Sequence, residues 1–283
     1  MKRVTARDGV ALAVHEIGAG PPLLCMPGGP GRASSYLEDL GGLAAERTLL
    51  LLDSRGSGAS ELPADRESLR VDRLPGDVED VRTALGLHPA DVLAHSAGCP
   101  VALLHAAQHP DTVGTMVIVT PSGRPFGWDA DDVDEIRARR SGEPWYADAA
   151  AAQEALTDAN PRMRAELERE TRPFWYGRWD ERAQEHAAGA DRQMSLRAAA
   201  GYVPGPDFDA MSARDALRRV QARTLVVVGE RDALTGVVAG ERIAGALPDA
   251  ELAVVPRAGH FPWVDEPDAF RAAVSEFLRV STG

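Results

Sequence analysis

The sequence predicts an α/β fold in which a mostly parallel β-sheet is flanked by helices and a helical cap is inserted after the sixth strand. Three observations support this prediction. Short apolar runs recur directly before glycine-rich turns, stretches with helical periodicity lie between these runs, and the middle of the chain has charged helical patterns without a buried strand. Strands that alternate with helices form parallel sheets covered on both faces. The 283 residues are enough for one large domain that carries an insertion.

Several of the predicted strands are continuous apolar runs rather than alternating ones, such as TLLLLD, TMVIVT and TLVVVGE. Continuous runs are typical of strands that are buried on both faces. The strands are expected to include residues 11–17, 22–26, 48–52, 91–94, 113–120, 224–228 and 252–255. Helices are expected at residues 75–85, 97–108, 237–246 and 267–280.

The middle of the chain is predicted to form the helical cap. One of its patterns, DADDVDEIRARR, is acidic at its start and basic at its end, which suits the dipole of a helix. We therefore divide the chain into a first core part at residues 1–121, a cap that selects the substrate at residues 122–219, and a second core part at residues 220–283.

Composition excludes several functional classes. The formal net charge of −12 disfavours a nucleic-acid partner, because phosphate binding requires a positive surface. No run of about 18 apolar residues occurs that could span a membrane, and Arg7, Asp8 and His15 interrupt any secretory signal. Cys25 and Cys99 lie in apolar contexts and are expected to be reduced, buried thiols. These features predict a cytoplasmic protein, and its oligomeric state cannot be read from them.

The segment AHSAGCP places Ser96 between a strand and a helix, with Ala94 and Gly98 on either side. Small residues at these two positions let the strand and the helix approach closely, as a nucleophile elbow requires. Pro100 lies in the first helical turn, where its missing N–H costs little. Taken alone, this segment fits either an ordinary tight turn or a turn that exposes Ser96 as a nucleophile.

A serine hydroxyl is a poor nucleophile near neutral pH unless a base accepts its proton. After residue 110 the chain contains two histidines. His186 lies in a charged helical pattern and is expected to face solvent, whereas His260 follows the last apolar strand. An acid should follow the preceding strand, where GERDALTG offers Asp232, with Glu230 as the weaker choice. The alternatives are a turn aspartate at position 232 and a loop histidine at position 260.

Acyl transfer also needs donors for the oxyanion that develops on the carbonyl oxygen. The backbone N–H of Ala97, the residue after the serine, is the first expected donor. The loop MPGGPG follows an early strand and is predicted to supply the second from Gly29, with Gly28 as the fallback. A phosphate-binding loop is disfavoured, since no lysine follows and the GxGxxG spacing is missing.

The motifs MPGGPG, LLDSRGSGAS, AHSAGCP, VVVGERD and AGHFPW occur in this order, and the chain thereby resembles the α/β-hydrolase superfamily and, within it, the proline iminopeptidase group. The group's glycine–proline loop usually begins with histidine, where this chain has Pro27. The resemblance implies an α/β-hydrolase fold with Ser96 as nucleophile, His260 as general base and Asp232 as the residue that orients it. It implies oxyanion donors at Ala97 and Gly29, no metal and no organic cofactor.

The resemblance also implies that cap residues bind the free amino group of a small peptide or an aminoacylated small molecule. The segment RPFWYGRWDERAQEH offers the aromatic residues Trp175 and Trp179 and the carboxylates Asp180 and Glu181, and Gly28 is expected to complete the site. The same carboxylates could instead pair with arginines on a solvated helix. Four other aromatic residues could also line the pocket, although the cap core is the favoured place for them, namely Trp145, Tyr146, Tyr202 and Phe208.

Two functions remain open from the sequence. The first is an aminopeptidase that releases an N-terminal proline or another small residue through an acyl-serine intermediate. The second is an esterase, lactonase or thioesterase of the same fold, whose substrate has no free amine. A binding protein without turnover is disfavoured, because candidates for all three catalytic residues are present.

Overall fold

The computed structural model describes residues 1–280, and its centre is one eight-stranded sheet. The strands are β1 Lys2–Thr5, β2 Ala11–Gly18, β3 Pro22–Met26, β4 Thr48–Asp53, β5 Ala90–His95, β6 Val113–Val119, β7 Arg223–Gly229 and β8 Ala250–Val255. Their spatial order is β1-β2-β4-β3-β5-β6-β7-β8. β2 is antiparallel to both β1 and β4, and every later pair is parallel. The predicted mostly parallel α/β sheet is confirmed.

The helices lie on both faces of the sheet and in the long connection between β6 and β7. In chain order they are α1 Pro75–Ala84, α2 Gly98–Gln108, α3 Val133–Ala138, α4 Tyr146–Ala155, α5 Pro161–Glu170, α6 Glu181–Ala188, α7 Ala190–Gln193, α8 Leu196–Gly201, α9 Ala210–Leu217, α10 Val238–Ala246, α11 Pro262–Asp265 and α12 Pro267–Val280. Seven of them, α3 to α9, belong to the β6–β7 connection, which contains no strand. Among residues 1–280, none of the helices combines the length and the apolar composition that membrane crossing requires.

Alternate residues of the central strands point to two separate cores. On β3, Leu24 belongs to the core beneath α1, α2 and α10, whereas Leu23 and Cys25 belong to the core beneath α11 and α12. This alternation follows from the two-residue period of a strand, and it explains why the central runs are apolar throughout. Both cysteines are buried and unpaired, as predicted. The sequence did not predict β1, an edge strand whose only buried residue is Val4.

The turn after β4 is a polar scaffold. The carboxylate of Asp53 accepts hydrogen bonds from the backbone N–H and hydroxyl of Ser34 and from the backbone N–H of Ala59. Gly58 has φ +54°, and a Cβ atom there would lie 2.1 Å from an Asp53 oxygen. The turn therefore ties β4 to the segment after β3 and contributes no reactive group.

Candidate active site

Ser96 lies in a strained turn between β5 and α2. Its φ of +53° is in the left-handed region, which a non-glycine residue adopts only where the surrounding structure enforces it. The Ser96 N–H donates to the Val119 carbonyl at 2.9 Å, which anchors the turn to β6. A Cβ atom at Gly98 would lie 2.5 Å from the Pro27 carbonyl oxygen, so the helix can approach β3 only with glycine there. The turn has the geometry of a nucleophile elbow.

His260 connects Ser96 to Asp232. Its Nε2 lies 2.9 Å from the Ser96 Oγ, and its Nδ1 lies 3.0 Å from the Asp232 Oδ2. An ionised carboxylate can only accept hydrogen bonds, so the Nδ1–H donates to Asp232. In a neutral imidazole the Nε2 is then unprotonated and can accept the hydroxyl proton of Ser96. The structure thus brings together three residues that are separated by 28 and 164 positions.

Asp232 is fully buried, and the turn after β7 surrounds its carboxylate with donors. Its Oδ1 accepts the backbone N–H groups of Leu234 and Thr235 at 2.9 and 3.1 Å, and its Oδ2 also accepts the Thr235 hydroxyl at 2.6 Å. Burial acts to raise the pKa of Asp232, but His260 and these donors outweigh burial and leave the pKa below its ordinary value. The weaker choice, Glu230, is exposed and accepts the Arg257 N–H instead.

The glycine–proline loop after β3 lies directly against the serine turn. A Cβ atom on Gly28 would lie 2.7 Å from the Ser96 Cβ and 3.1 Å from the Ala97 nitrogen, so this position requires glycine. The Gly28 N–H donates to the Tyr36 hydroxyl at 2.6 Å, and this excludes the fallback oxyanion donor. Within residues 1–280, the N–H groups of Gly29 and Ala97 have no acceptor. Both predicted donors are therefore available to a ligand.

A narrow cavity lies beside the serine turn. Gly28 and Ala97 line it on one side, and Ala198 and Tyr202 of the β6–β7 connection line it on the other. The cavity is small, with a volume of about 30 Å³. The Tyr202 hydroxyl donates to the Ala97 carbonyl at 2.5 Å. The cap core was the favoured place for Tyr202 and the pocket lining its alternative, and the structure places it at the cavity.

The polar residues at the cavity already have partners. Asp77 is the only carboxylate among the described lining residues, and Arg55 binds it with two nitrogens. Arg55 also donates to Asp8 at 2.7 Å. A carboxylate neutralised in this way has little capacity left to bind an ammonium group. The remaining lining side chains are mostly aliphatic, so the cavity suits an apolar group.

The structure does not place the predicted amine-binding residues at this cavity. Asp180 caps α6 by accepting the Ala183 N–H at 3.0 Å, and its carboxylate pairs with Arg178 at 2.8 Å. Glu181 follows it on the exposed face of the helix. The physical reason is that an aspartate before a helix satisfies free backbone N–H groups, which a charge pattern alone does not reveal.

The two predicted tryptophans are also absent from the cavity lining. Trp179 stacks on Tyr176 with the ring centres 5.6 Å apart, and Trp175 packs between two hydrophobic clusters. The Trp175 carbonyl accepts the backbone N–H of His260 at 2.7 Å. The segment that contains Trp175 therefore stabilises the loop that contains His260. Of the residues predicted to bind substrate, only Gly28 lines the cavity.

Asp265 holds the same segment to the His260 loop. Its Oδ2 accepts the backbone N–H of Gly177 at 2.9 Å and that of Gly259 at 2.8 Å, and its carbonyl accepts Arg178. Burial raises the pKa of Asp265 to about 6. None of the predicted site residues is Asp265, although a carboxylate five positions after the candidate base was a usable signal.

The prediction that His186 faces solvent was wrong. His186 is 5% exposed, and burial lowers its pKa to about 3. The ring faces inward because α6 packs on the core beneath α11 and α12 through Ala183 and Ala187. The charges that dominate this stretch of sequence lie on the other faces of the helix.

One group of side chains outside the site has the composition of a metal centre. The ligand atoms of Glu79, His105 and His109 lie within 4.8 Å of one another, at the end of α2 away from Ser96. Arg82 and His105 both bind the Glu79 carboxylate, at 2.6 and 2.9 Å. The group already forms a network of protein hydrogen bonds, and we assign no metal chemistry to it.

Comparison with known proteins shows which family and which relatives this chain matches. The alpha/beta hydrolase fold family matches residues 21–267. Proline iminopeptidase from Heyndrickxia coagulans is 24% identical over 275 residues, which cover 93% of this chain and 92% of that protein. 2-Hydroxymuconate semialdehyde hydrolase from Pseudomonas sp. (strain CF600) is 28% identical over 283 residues, with 95% of this chain and 91% of that protein covered.

Solved structures share the fold over the whole chain. Proline iminopeptidase from Mycobacterium smegmatis superposes with a TM-score of 0.78 at 23% identity and covers 99% of this chain and 98% of its own. An esterase from Exiguobacterium antarcticum superposes with a TM-score of 0.75 at 19% identity and covers 98% of this chain and 99% of its own. Similar scores for a peptidase and an esterase mean that the fold alone does not choose between these activities.

Proposed function

Because the chain belongs to the alpha/beta hydrolase fold family, we propose that it is a serine hydrolase in which Ser96 forms a covalent acyl intermediate. The observation that carries this proposal is the continuous contact from Ser96 Oγ to His260 Nε2, at 2.9 Å, and from His260 Nδ1 to Asp232 Oδ2, at 3.0 Å. In this proposal residues 122–219 form the cap that selects the substrate.

The first half-reaction acylates Ser96. The hydroxyl proton of Ser96 moves to His260 Nε2 while the Oγ forms a bond with the substrate carbonyl carbon. The N–H groups of Gly29 and Ala97 donate to the resulting oxyanion. The tetrahedral intermediate then expels the leaving group, which takes the proton from His260 as an alcohol, thiol or amine. Asp232 keeps the imidazole oriented and stabilises its charged form.

The second half-reaction returns the enzyme to its starting state. His260 accepts a proton from a water molecule, and the hydroxide adds to the acyl carbonyl carbon. The same two N–H groups stabilise the second oxyanion. The bond between the carbonyl carbon and Ser96 Oγ then breaks, and Ser96 recovers the proton from His260. The products are a carboxylic acid and a free enzyme.

The cavity favours a small, apolar acyl group without a free amine. Its aliphatic lining suits such a group, and its only described carboxylate, Asp77, is neutralised by Arg55. An ester, lactone or thioester of a small acyl group therefore fits the geometry best. The second candidate is an aminopeptidase, which the sequence relative from Heyndrickxia coagulans favours through 24% identity over 93% of this chain.

A paired substrate panel separates the two candidates. The panel contains p-nitrophenyl esters from acetyl to octanoyl, together with prolyl and alanyl p-nitroanilides in free and N-acetylated form. We expect the short esters to have the highest kcat/KM, and the free and N-acetylated anilides to differ little. Much faster turnover of the free-amine anilides would overturn the ester assignment in favour of the aminopeptidase. The Ser96→Ala variant serves as the blank for every substrate.

A variant on the surface of the cap tests the amine site directly. Glu181→Gln removes the exposed carboxylate that the sequence offered for ammonium binding, without removing a helix cap. The ratio of rates on free and N-acetylated anilides is expected to stay unchanged. A fall in that ratio would restore the amine-binding role of the segment.

A further inference from the structure

We propose that Tyr36 and His95 are positioning residues that hold the oxyanion loop and the backbone of His260 in register around Ser96. This inference rests on the proposed function. Tyr36 and His95 are both buried, at 1% exposure each. The Tyr36 hydroxyl lies 2.6 Å from the His95 Nδ1 and accepts the Gly28 N–H at 2.6 Å. At the other end of the ring, the His95 Nε2 lies 2.9 Å from the His260 carbonyl oxygen. We call this arrangement the Tyr36–His95 relay.

The direction of every hydrogen bond in the relay follows from its two ends. The His260 carbonyl can only accept, so the His95 Nε2 carries a proton. Burial lowers the pKa of His95 well below its ordinary value, and the ring is neutral. The His95 Nδ1 is then an acceptor, and the Tyr36 hydroxyl donates to it. The Tyr36 oxygen remains free to accept from the Gly28 N–H. Each buried donor and acceptor therefore has one partner.

The relay touches three parts of the proposed machinery. Gly28 contacts Ser96 and precedes the oxyanion donor Gly29, so the bond to Tyr36 sets how far this loop stands from the serine. His95 precedes Ser96 in the chain. The His260 carbonyl also accepts the Thr120 hydroxyl at 3.0 Å. The backbone N–H of His260 donates to the Trp175 carbonyl. The His95 ring thus fixes the distance between the oxyanion donors and the base, His260. Acyl transfer is sensitive to errors of about 1 Å in this distance.

The chain contains a second unit of the same kind, which provides a matched control. The Tyr176 hydroxyl lies 2.8 Å from the His186 Nδ1, and the His186 Nε2 lies 2.9 Å from the Tyr36 carbonyl oxygen. Tyr176 is also fully buried. Among the described residues, its hydroxyl makes no hydrogen bond to the glycine loop, His95 or His260. Loss of the hydroxyl from Tyr36 or Tyr176 leaves an acceptor-type nitrogen of a buried histidine unpaired, so both losses should destabilise the fold. Loss of the Tyr36 hydroxyl also leaves the Gly28 N–H without its acceptor, so Tyr36→Phe should destabilise the fold at least as much as Tyr176→Phe.

The experiment compares Tyr36→Phe with Tyr176→Phe on the ester that the wild-type chain hydrolyses fastest. We expect Tyr36→Phe to lower kcat on the order of 10- to 100-fold with KM within about twofold of wild type. Tyr176→Phe should keep kcat within about twofold of wild type, although it also lowers Tm. Equal kcat values for the two variants, measured at a temperature at which both remain folded, would overturn the positioning role.

Two substitutions of His95 keep the test decisive if Tyr36→Phe does not fold. Asparagine retains an acceptor near the Nδ1 position and glutamine retains a donor near the Nε2 position, so each keeps one of the two bonds. Both variants should have kcat between that of wild type and that of His95→Leu. Identical kcat for all three substitutions would contradict the relay. If a fluorophosphonate fails to label wild-type Ser96, the proposed function fails first and this inference with it.

Discussion

The buried carboxyl of Asp265 makes a quantitative prediction about stability and pH. Burial raises its pKa from the ordinary 3.8 to about 6. The folded protein therefore holds this proton more tightly than the unfolded chain does. The resulting contribution to the free energy of unfolding is present at low pH and is lost as the pH rises from about 4 through about 6. Since one pKa unit is about 1.4 kcal/mol, the full loss is on the order of 3 kcal/mol.

The perturbation that isolates this effect is Asp265→Asn, which cannot ionise. An asparagine oxygen can still accept the N–H groups of Gly177 and Gly259. Urea unfolding of wild type and Asp265→Asn at several values between pH 4.5 and pH 7 gives the difference in free energy of unfolding at each pH. We expect this difference to shift in favour of Asp265→Asn by about 2 kcal/mol across that range.

Comparison of the two curves removes the contribution of all other titrating groups. Glu266→Gln is the control, because Glu266 neighbours Asp265 and also faces Arg178. The change in its difference from wild type over the same pH range gives the effect of removing a neighbouring carboxylate, and the change for Asp265→Asn is judged against it. Parallel curves for wild type and Asp265→Asn would refute the argument, since they would mean that Asp265 titrates alike in the folded and unfolded chain.

Two further substitutions test the site itself. Gly28→Ala forces a Cβ atom to within 2.7 Å of the Ser96 Cβ, so kcat should fall on the order of 100-fold. Gly245→Ala, where a Cβ atom meets nothing within 4 Å, should remain fully active, and equal activity of the two would contradict the assigned contact. Asp232→Asn removes the carboxylate that orients His260, and kcat should fall on the order of 10⁴-fold. A larger loss of kcat from Glu230→Gln than from Asp232→Asn would mean that Glu230, and not Asp232, orients His260.

Much of the fold and the central contact of the site could be predicted because short continuous segments encode them. The apolar runs of β3 to β7 indicate a buried parallel sheet, and the resemblance to the α/β-hydrolase family is confirmed by the match over residues 21–267. Ser96 directly follows β5, whereas Asp232 and His260 lie three and five residues after the ends of β7 and β8. The carboxyl ends of parallel strands meet at one edge of the sheet, so residues at these ends come close together whatever the length of chain between them.

The tertiary structure alone decided the parts of the site that depend on packing between segments. Asp180 and Glu181 have the composition of an ammonium site, but the orientation of α6 makes one a helix cap and leaves the other in solvent. His186 belongs to the same charged stretch, yet it lies on the one face of α6 that is buried.

The choice of oxyanion donor in the glycine loop also depended on the tertiary structure. The sequence alone identified both Gly28 and Gly29 as oxyanion candidates. Only the Tyr36 hydroxyl, which lies against the Gly28 N–H, distinguishes them. A hydrogen bond between residues of different segments depends on distances of a few tenths of an ångström. Such distances are set by how the whole core packs, and no local pattern of residue types records them.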